Sequence, residues 1–212
     1  MPQASAANTE TEQSLTQAER SALAETRMVK AAITLLNEAG INGTTLVAIG
    51  ERSGYSRGLA THHFGSKAGL FRTVLKRLSM AWSQKLDRAL AGKTGLEAVE
   101  IAIDTHLAHV LRHPEYIRVQ YILWGAAIDP SSEFKPNVAE FMQIQRASVA
   151  GWIDDGQRRG EIRPELDANR LAEQYYGALI GIAKQWQVSP DFDLPAAYAD
   201  FKHNFVRLLR AT

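Results

Sequence analysis

Apolar side chains recur every three or four positions along most of this chain, the spacing of one face of an α-helix. The first run opens at Thr16-Gln-Ala-Glu19, a capping-box pattern in which the hydroxyl accepts from an orphan amide and the carboxylate reaches back. Ala22, Thr26, Val29, Ile33 and Leu36 then keep helical spacing up to Gly40, a natural stop. A second, short helix is predicted after Thr44-Thr45, through Leu46, Val47 and Ile49, until Ser53-Gly54 breaks it. Ser56 can cap a third short helix that ends before Phe64-Gly65-Ser66. Ser66 can cap a long fourth one, striped by Phe71, Val74, Leu78 and Trp82.

The same period continues to the end of the chain. Thr94-Gly-Leu-Glu97 reads as another capping box, feeding Leu96, Val99, Ile103, Leu107 and Val110. His113-Pro114 interrupts, because proline restricts the residue before it and is welcome only at a helix start. A sixth helix is predicted from Glu115 to about Ala127, a loop over DPSSEFKPN, and a seventh helix from about Val138 to Arg158. RRGEIRPELD supplies a glycine stop, a proline and an aspartate cap. Leu171, Tyr175, Ala178, Ile182 and Trp186 then stripe one helix, and after the break SPDFDLP, Tyr198, Phe201, Phe205 and Leu208 stripe the last. Interior prolines fall only at breaks, and no strand-type alternation is sustained. The expectation is an all-α protein of about nine helices, with a polar, aperiodic and disordered tail over residues 1–15.

Composition narrows the function classes. With 212 residues, 45% hydrophobic and 22% charged, the chain has the balance of an ordinary globular protein and is long enough to bury a core. The absence of cysteine removes disulfide scaffolds, thiolate zinc sites, iron–sulfur clusters and cysteine nucleophiles together. The strongest apolar stretch, YILWGAAI, is far too short to span a bilayer, and MPQASAANTETEQSL lacks the features of a secretory signal. A cytoplasmic protein with no membrane contact is expected.

The net charge of +1 hides an uneven distribution. Between Ala39 and Met80 lie Arg52, Arg57, Lys67, Arg72, Lys76 and Arg77 against the single acid Glu51, while the flanking regions are slightly acidic. A local excess of this kind is the footprint of a phosphate-binding module, and equally that of a solvated basic face. The layout of residues 44–64 separates the two readings further. A short helix, a glycine-bearing turn and a second short helix make a helix-turn-helix, whose second helix enters the major groove of DNA. The candidate recognition helix reads Ser56, Arg57, Gly58, Leu59, Ala60, Thr61, His62. Arg57 is suited to bidentate reading of guanine, Thr61 and His62 can hydrogen-bond bases or phosphates, and Gly58 and Ala60 are small enough for close approach. Short helices joined by a glycine turn also occur in helical cores, so the spacing alone leaves both possibilities open.

Two competing motifs lie in the chain. Gly54-Tyr-Ser56-Arg-Gly58 satisfies the G-x-S-x-G nucleophile elbow of serine hydrolases. That chemistry needs a strand running into the first glycine and several parallel strands before it, and none can be drawn here, so no enzyme is expected. His106, His109 and His113 are spaced to share helix faces as zinc ligands do. Without a matching carboxylate or distant ligand they read as pocket-lining or surface histidines, and no metal or cofactor is expected.

The stretch from Arg27 to Leu70 resembles the DNA-binding domain of the TetR (tetracycline repressor-like) family. The match lies in a helix ending in EAG, two threonines, an Ile-Gly pair, SGYS and a closing HF-SK, all in order and spacing. Farther on, GEIRPELD looks like the loop such proteins carry before the penultimate helix. Thr61, Ala60 and Ala68 depart from the tyrosine, leucine and glutamate usual at those positions.

The resemblance implies a three-helix DNA-binding domain over residues 16–65 and a larger helical effector-binding and dimerisation domain over 66–212. It implies a homodimeric, ligand-responsive repressor acting on double-stranded DNA at a (pseudo)palindromic operator, with half-sites about 34–36 Å apart or multiples of that. Thr44, Thr45, His63 and Lys67 would then hold phosphates, and Arg57, Leu59, Thr61 and His62 would face bases, with Ser56 and Gly58 at the helix start. A small-molecule effector would sit between the later helices, where bundles place ligands. The expected lining is Trp82, Ile103, His106 and Leu107 on the earlier helices and Tyr121, Trp124, Phe141 and Tyr175 on the later ones. Gln174, Gly177, Ala178, Gly181 and Ile182, with Phe201, Phe205 and Leu208, would form the dimer interface. The alternative is a helical ligand-binding or scaffolding protein with a degenerate helix-turn-helix.

Overall fold

The computed structural model describes residues 16–211, so the tail expected over residues 1–15 lies outside the described residues. Nine helices are present among the described residues: α1 (Gln17–Gly43), α2 (Leu46–Ser53), α3 (Arg57–Phe64), α4 (Lys67–Leu90), α5 (Gly95–Arg112), α6 (Pro114–Ala126), α7 (Lys135–Arg158), α8 (Ala168–Val188) and α9 (Leu194–Leu209). An isolated antiparallel bridge joins Ile162 to Arg210. The chain divides into two compact units, one through Val74 and the other from Leu75, and α4 runs unbroken across the division.

In the first unit the capping box at Thr16 forms as the sequence predicts. The Glu19 amide donates to Thr16 Oγ1 at 3.3 Å, and the Thr16 amide donates to Glu19 Oε2 at 2.8 Å. Gly40, at φ 64°, interrupts α1 before its last turn. The early stripe is out of phase, however. Ala22 and Thr26 are exposed, the Thr26 hydroxyl donating to Ala22 O at 2.8 Å on the solvent side. The buried face is Ala24, Met28, Val29, Ala31, Ala32, Leu35 and Leu36. Ile49, Ala60, Phe64, Leu70, Phe71 and Val74 complete this core. Each large aliphatic or aromatic side chain fully buried there contributes about 1.5–3 kcal/mol of transfer free energy.

The second unit packs α5, α7, α8 and α9 around Val99, Ile103, Val110, Ile153, Leu171, Tyr175, Tyr198 and Leu209. Asp167 and Asp193 cap α8 and α9 through their side-chain oxygens. The capping box predicted at Thr94 does not form. The Thr94 hydroxyl donates to the Asp155 carboxylate, Glu97 pairs with Lys93 at 3.0 Å, and Glu161 Oε2 takes the Leu96 amide at 3.1 Å. A carboxylate brought in by the tertiary fold thus satisfies a first-turn amide in place of the local pair. Helix α7 starts three residues earlier than predicted, with its proline in the first turn, where the missing amide costs nothing.

Candidate functional site

The turn between α2 and α3 is built from two glycines. Gly54 closes α2 in the left-handed region at φ 77°, ψ 22°, a conformation glycine adopts without steric cost. At Gly50 a Cβ would lie 2.9–3.0 Å from Tyr55 O, Ser56 C and Arg57 N, so α2 meets the start of α3 backbone to backbone. The Tyr55 amide donates to Gly50 O at 2.8 Å. Ser56 then caps α3, accepting from the Leu59 amide at 3.1 Å. Ser56 Oγ therefore lies in a link between two helices rather than at a strand-to-helix elbow.

Burial sorts the residues of α3. Ala60 and Phe64 point into the core, and Leu59 and His63 are half-buried. Ser56, Arg57, Gly58, Thr61 and His62 are exposed. Positions 57, 58, 61 and 62 lie within one helical face, so the arginine, the threonine and a histidine point the same way. Thr45 caps α2, accepting from the Ala48 amide at 3.1 Å, and is exposed. Thr44 is not available to a phosphate: it is fully buried, and its hydroxyl donates to Gly40 O at 2.8 Å. Two adjacent threonines look alike in sequence, but only one can be the cap, and the other turns inward.

Lys67 opens α4, with its ammonium 5.7 Å from the centroid of the Phe71 ring, and partial burial lowers its pKa from the usual lysine value. Arg52 contributes less to the basic surface than its charge suggests. Its guanidinium donates to both carboxylate oxygens of Glu38, at 3.2 and 2.6 Å, and this bond raises the Arg52 pKa and lowers that of Glu38.

The second unit contains a crevice with about 640 Å³ of empty space including its mouth. Trp82, His106, Tyr121, Trp124, Phe141 and Tyr175 border it, as the sequence predicts. Ile103 and Leu107 do not. Helix α5 turns Ala102, His106 and His109 to the crevice, and that phase buries Ile103 in the core and places Leu107 on a separate surface groove. Sequence reasoning missed Gln120, Gln145, Trp152 and Tyr176 as lining residues. A signal existed for Gln120, a lone amide inside the otherwise apolar run VQYILW.

Polar contacts fix several of these walls. Trp82 Nε1 donates to Gln145 Oε1 at 2.8 Å, the Tyr121 hydroxyl donates to Ile180 O at 3.2 Å, and His106 Nδ1 lies 2.6 Å from the Tyr198 hydroxyl. Burial, reinforced by His109 and Lys85, pushes His106 down to about 3. Burial and the charges of Lys85 and His113 push His109 down to about 4, and Lys85 Nζ lies 3.5 Å from its Nδ1. Both rings are therefore neutral near pH 7. Desolvation raises the pKa of Tyr121, Tyr175, Tyr176 and Tyr198. The Tyr176 hydroxyl is buried with no hydrogen-bond partner. His113 stacks on Tyr116 at 5.4 Å, and among the described residues no group of three His, Cys, Asp or Glu could hold a metal ion.

On α8, a Cβ added at Gly177 or Gly181 would meet nothing within 4 Å. Gln174 and Gly177 are exposed, Ala178, Gly181, Ile182 and Phe201 are half-buried, and Leu208 is 40% exposed. Phe205 belongs to the core instead, packed between Tyr175 at 5.6 Å and Phe201 at 5.3 Å, and does not reach an outer surface.

Residues 28–74 match the family model described as bacterial regulatory proteins, tetR family. The chain is similar to the HTH-type transcriptional regulator BetI of Vibrio vulnificus, 22% identical over 168 residues that cover 68% of this chain and 84% of that one. It is also similar to BetI of Burkholderia lata, 32% identical over 68 residues, which cover 32% of this chain and only 35% of that relative. Among solved structures, a TetR transcriptional regulator from Chloroflexus aurantiacus shares the fold with a TM-score of 0.79 at 22% identity, over 92% of this chain and 100% of that one. The SmeT–triclosan complex does so with a TM-score of 0.73 at 17% identity, over 88% and 91%.

Proposed function

We propose that this chain, whose residues 28–74 match the family model of tetR bacterial regulatory proteins, is a DNA-binding regulator served by its own side chains as follows. Two copies insert α3 into successive major grooves of a (pseudo)palindromic operator. Arg57, Thr61 and His62 face base edges, with Leu59 beside them, and Gly58 lets the backbone close on the duplex. Ser56, Thr45, His63 and Lys67 position the helix, Thr45 through the amides at the N-terminus of α2 and Lys67 as a point charge on phosphate. The observation that supports this most directly is the shared exposed face of Arg57, Gly58, Thr61 and His62 on a helix held by the Gly50 contact.

The protein works in the cytoplasm as a repressor that a small molecule releases. The aromatic crevice of the second unit is the effector site, and Trp82 in its wall stands on the helix that begins with Lys67. The effector favours the form that cannot bind the operator, and a hundredfold loss of DNA affinity requires about 2.7 kcal/mol of coupling. Gly177, Gly181 and their neighbours on α8, with α9, form the two-fold interface.

The test is recovery of bound fragments from a random duplex pool by the purified protein. An inverted repeat in which Arg57→Ala relaxes selection at one base position of each half-site supports the reading. Failure to retard any duplex at low ionic strength overturns it in favour of a helical binding protein with a degenerate helix-turn-helix.

A further inference from the structure

The crevice in the second unit has a chemistry of its own, which narrows what can fill it; the inference rests on reading that crevice as the effector site. We propose that its ligand is a flat, uncharged aromatic compound carrying a hydrogen-bond acceptor, which receives the Tyr176 hydroxyl.

The lining argues for a flat aromatic partner. The slot holds about 640 Å³ of empty space including its mouth. Its lining includes Trp82, Trp124, Trp152 and Phe141. Offset stacking and edge contacts with such rings favour an aromatic partner over an aliphatic one of equal area.

Charge argues for neutrality. No aspartate, glutamate, lysine or arginine lines the slot. The charges that reach its walls from outside are those of Lys85, acting on His106 and His109, and Arg146, acting on Tyr176. Asp104, which faces Tyr175, is already paired with Lys202 at 2.6 Å. An aromatic cage can hold a quaternary ammonium by cation–π attraction. Here such a cation would meet two like charges and find no carboxylate in the wall.

Hydrogen bonding argues for the acceptor. The Tyr176 hydroxyl is buried at the slot without a partner, a cost that protein interiors rarely leave standing. His106 adds a second polar group to the lining. The Tyr198 hydroxyl lies 2.6 Å from His106 Nδ1 and donates to Leu179 O at 3.5 Å. A carbonyl, ether or phenol oxygen on the ligand completes this set.

The experiment is equilibrium dialysis of the full chain against 2-acetylnaphthalene, its acceptor-free near-isostere 2-isopropylnaphthalene, and benzyltrimethylammonium. The expected order of affinity is the ketone first, the hydrocarbon second and the cation last. Tyr176→Phe should weaken the ketone roughly fivefold, within the range of one net hydrogen bond, and leave the hydrocarbon unchanged. Tighter binding of the cation, or no binding of either naphthalene, overturns the proposal, as does equal loss of ketone and hydrocarbon in the variant. No DNA is present, so these failures leave the regulator reading standing. Conversely, a bound ketone that never alters operator occupancy would sink effector control and not the slot's chemistry.

Discussion

His106 on α5 and Tyr198 on α9 meet with Nδ1 and the hydroxyl 2.6 Å apart and their rings stacked at 5.9 Å, and the imidazole lines the crevice. Part of the ring borders the slot, but protein surrounds it, and its pKa is held at about 3. An unfolded histidine titrates near pH 6.5. Below that pH the unfolded chain takes up a proton that the folded chain refuses, so stability is greatest above 6.5 and falls as the pH drops toward 3. The slope is at most about 1.4 kcal/mol per pH unit for this one group. Urea unfolding of the wild type and of His106→Gln, which retains a partner for Tyr198, at pH values from 7 to 4.5 should show a shallower decline in the variant. Equal slopes would mean that His106 protonates freely in the fold.

Arg57 and Lys67 should fail differently when truncated. Arg57 stands exposed in the first turn of α3, on the same face as Thr61 and His62. Its replacement by alanine should cost about 1–3 kcal/mol on the preferred operator and relax selection at a single base position. Lys67→Ala should weaken binding to all sequences alike and reduce the slope of log affinity against log salt by about one unit. Anisotropy titrations at several salt concentrations separate the two. A salt slope unchanged in Lys67→Ala would remove Lys67 from the interface.

The two threonines before α2 make a sharper pair. Thr44→Val leaves Gly40 O without its buried donor and should lower stability by about 1–3 kcal/mol, with the salt dependence of DNA binding unaltered. Thr45→Ala removes a helix cap worth about 1 kcal/mol and strips an exposed hydroxyl from the N-terminus of α2, so DNA affinity should fall as well. Thermal unfolding and DNA titration of both variants decide the matter. A DNA defect in Thr44→Val at temperatures where it is fully folded would contradict its structural role.

Thr44 also shows where sequence reading stops. Helix number, the caps at Thr16, Ser56 and Asp167, and the turn at Gly54 rest on contacts within a few residues, and these were legible. What depends on partners distant in the chain was not. Glu161 caps α5 from 65 positions away, displacing the local box at Thr94. The phase of α5 is set by packing against its neighbours, so His106 and His109 face the crevice while Ile103 and Leu107, equally apolar by pattern, do not. Tyr176 reads as a core aromatic until its hydroxyl is seen buried and unpaired. Phe205 fits an interface stripe as well as a core stripe, and only its packing against Tyr175 distinguishes them.

The homodimer proposed for α8 and α9 can be broken without unfolding the subunit. A Cβ added at Gly181 meets nothing within 4 Å, so a side chain can start there without displacing a neighbour in its own chain. Replacing a mid-helix glycine also removes a helix-propensity penalty of about 0.5–1 kcal/mol relative to a good helix former. Gly181→Arg should therefore retain or raise the stability of the isolated subunit while placing a guanidinium where two helices would have to approach closely. Sedimentation velocity should show a dimer for the wild type and a monomer for the variant, and operator affinity should fall by orders of magnitude, because each half-site contact is then made alone. A Gly181→Arg protein that still sediments as a dimer would move the two-fold contact away from this face of α8.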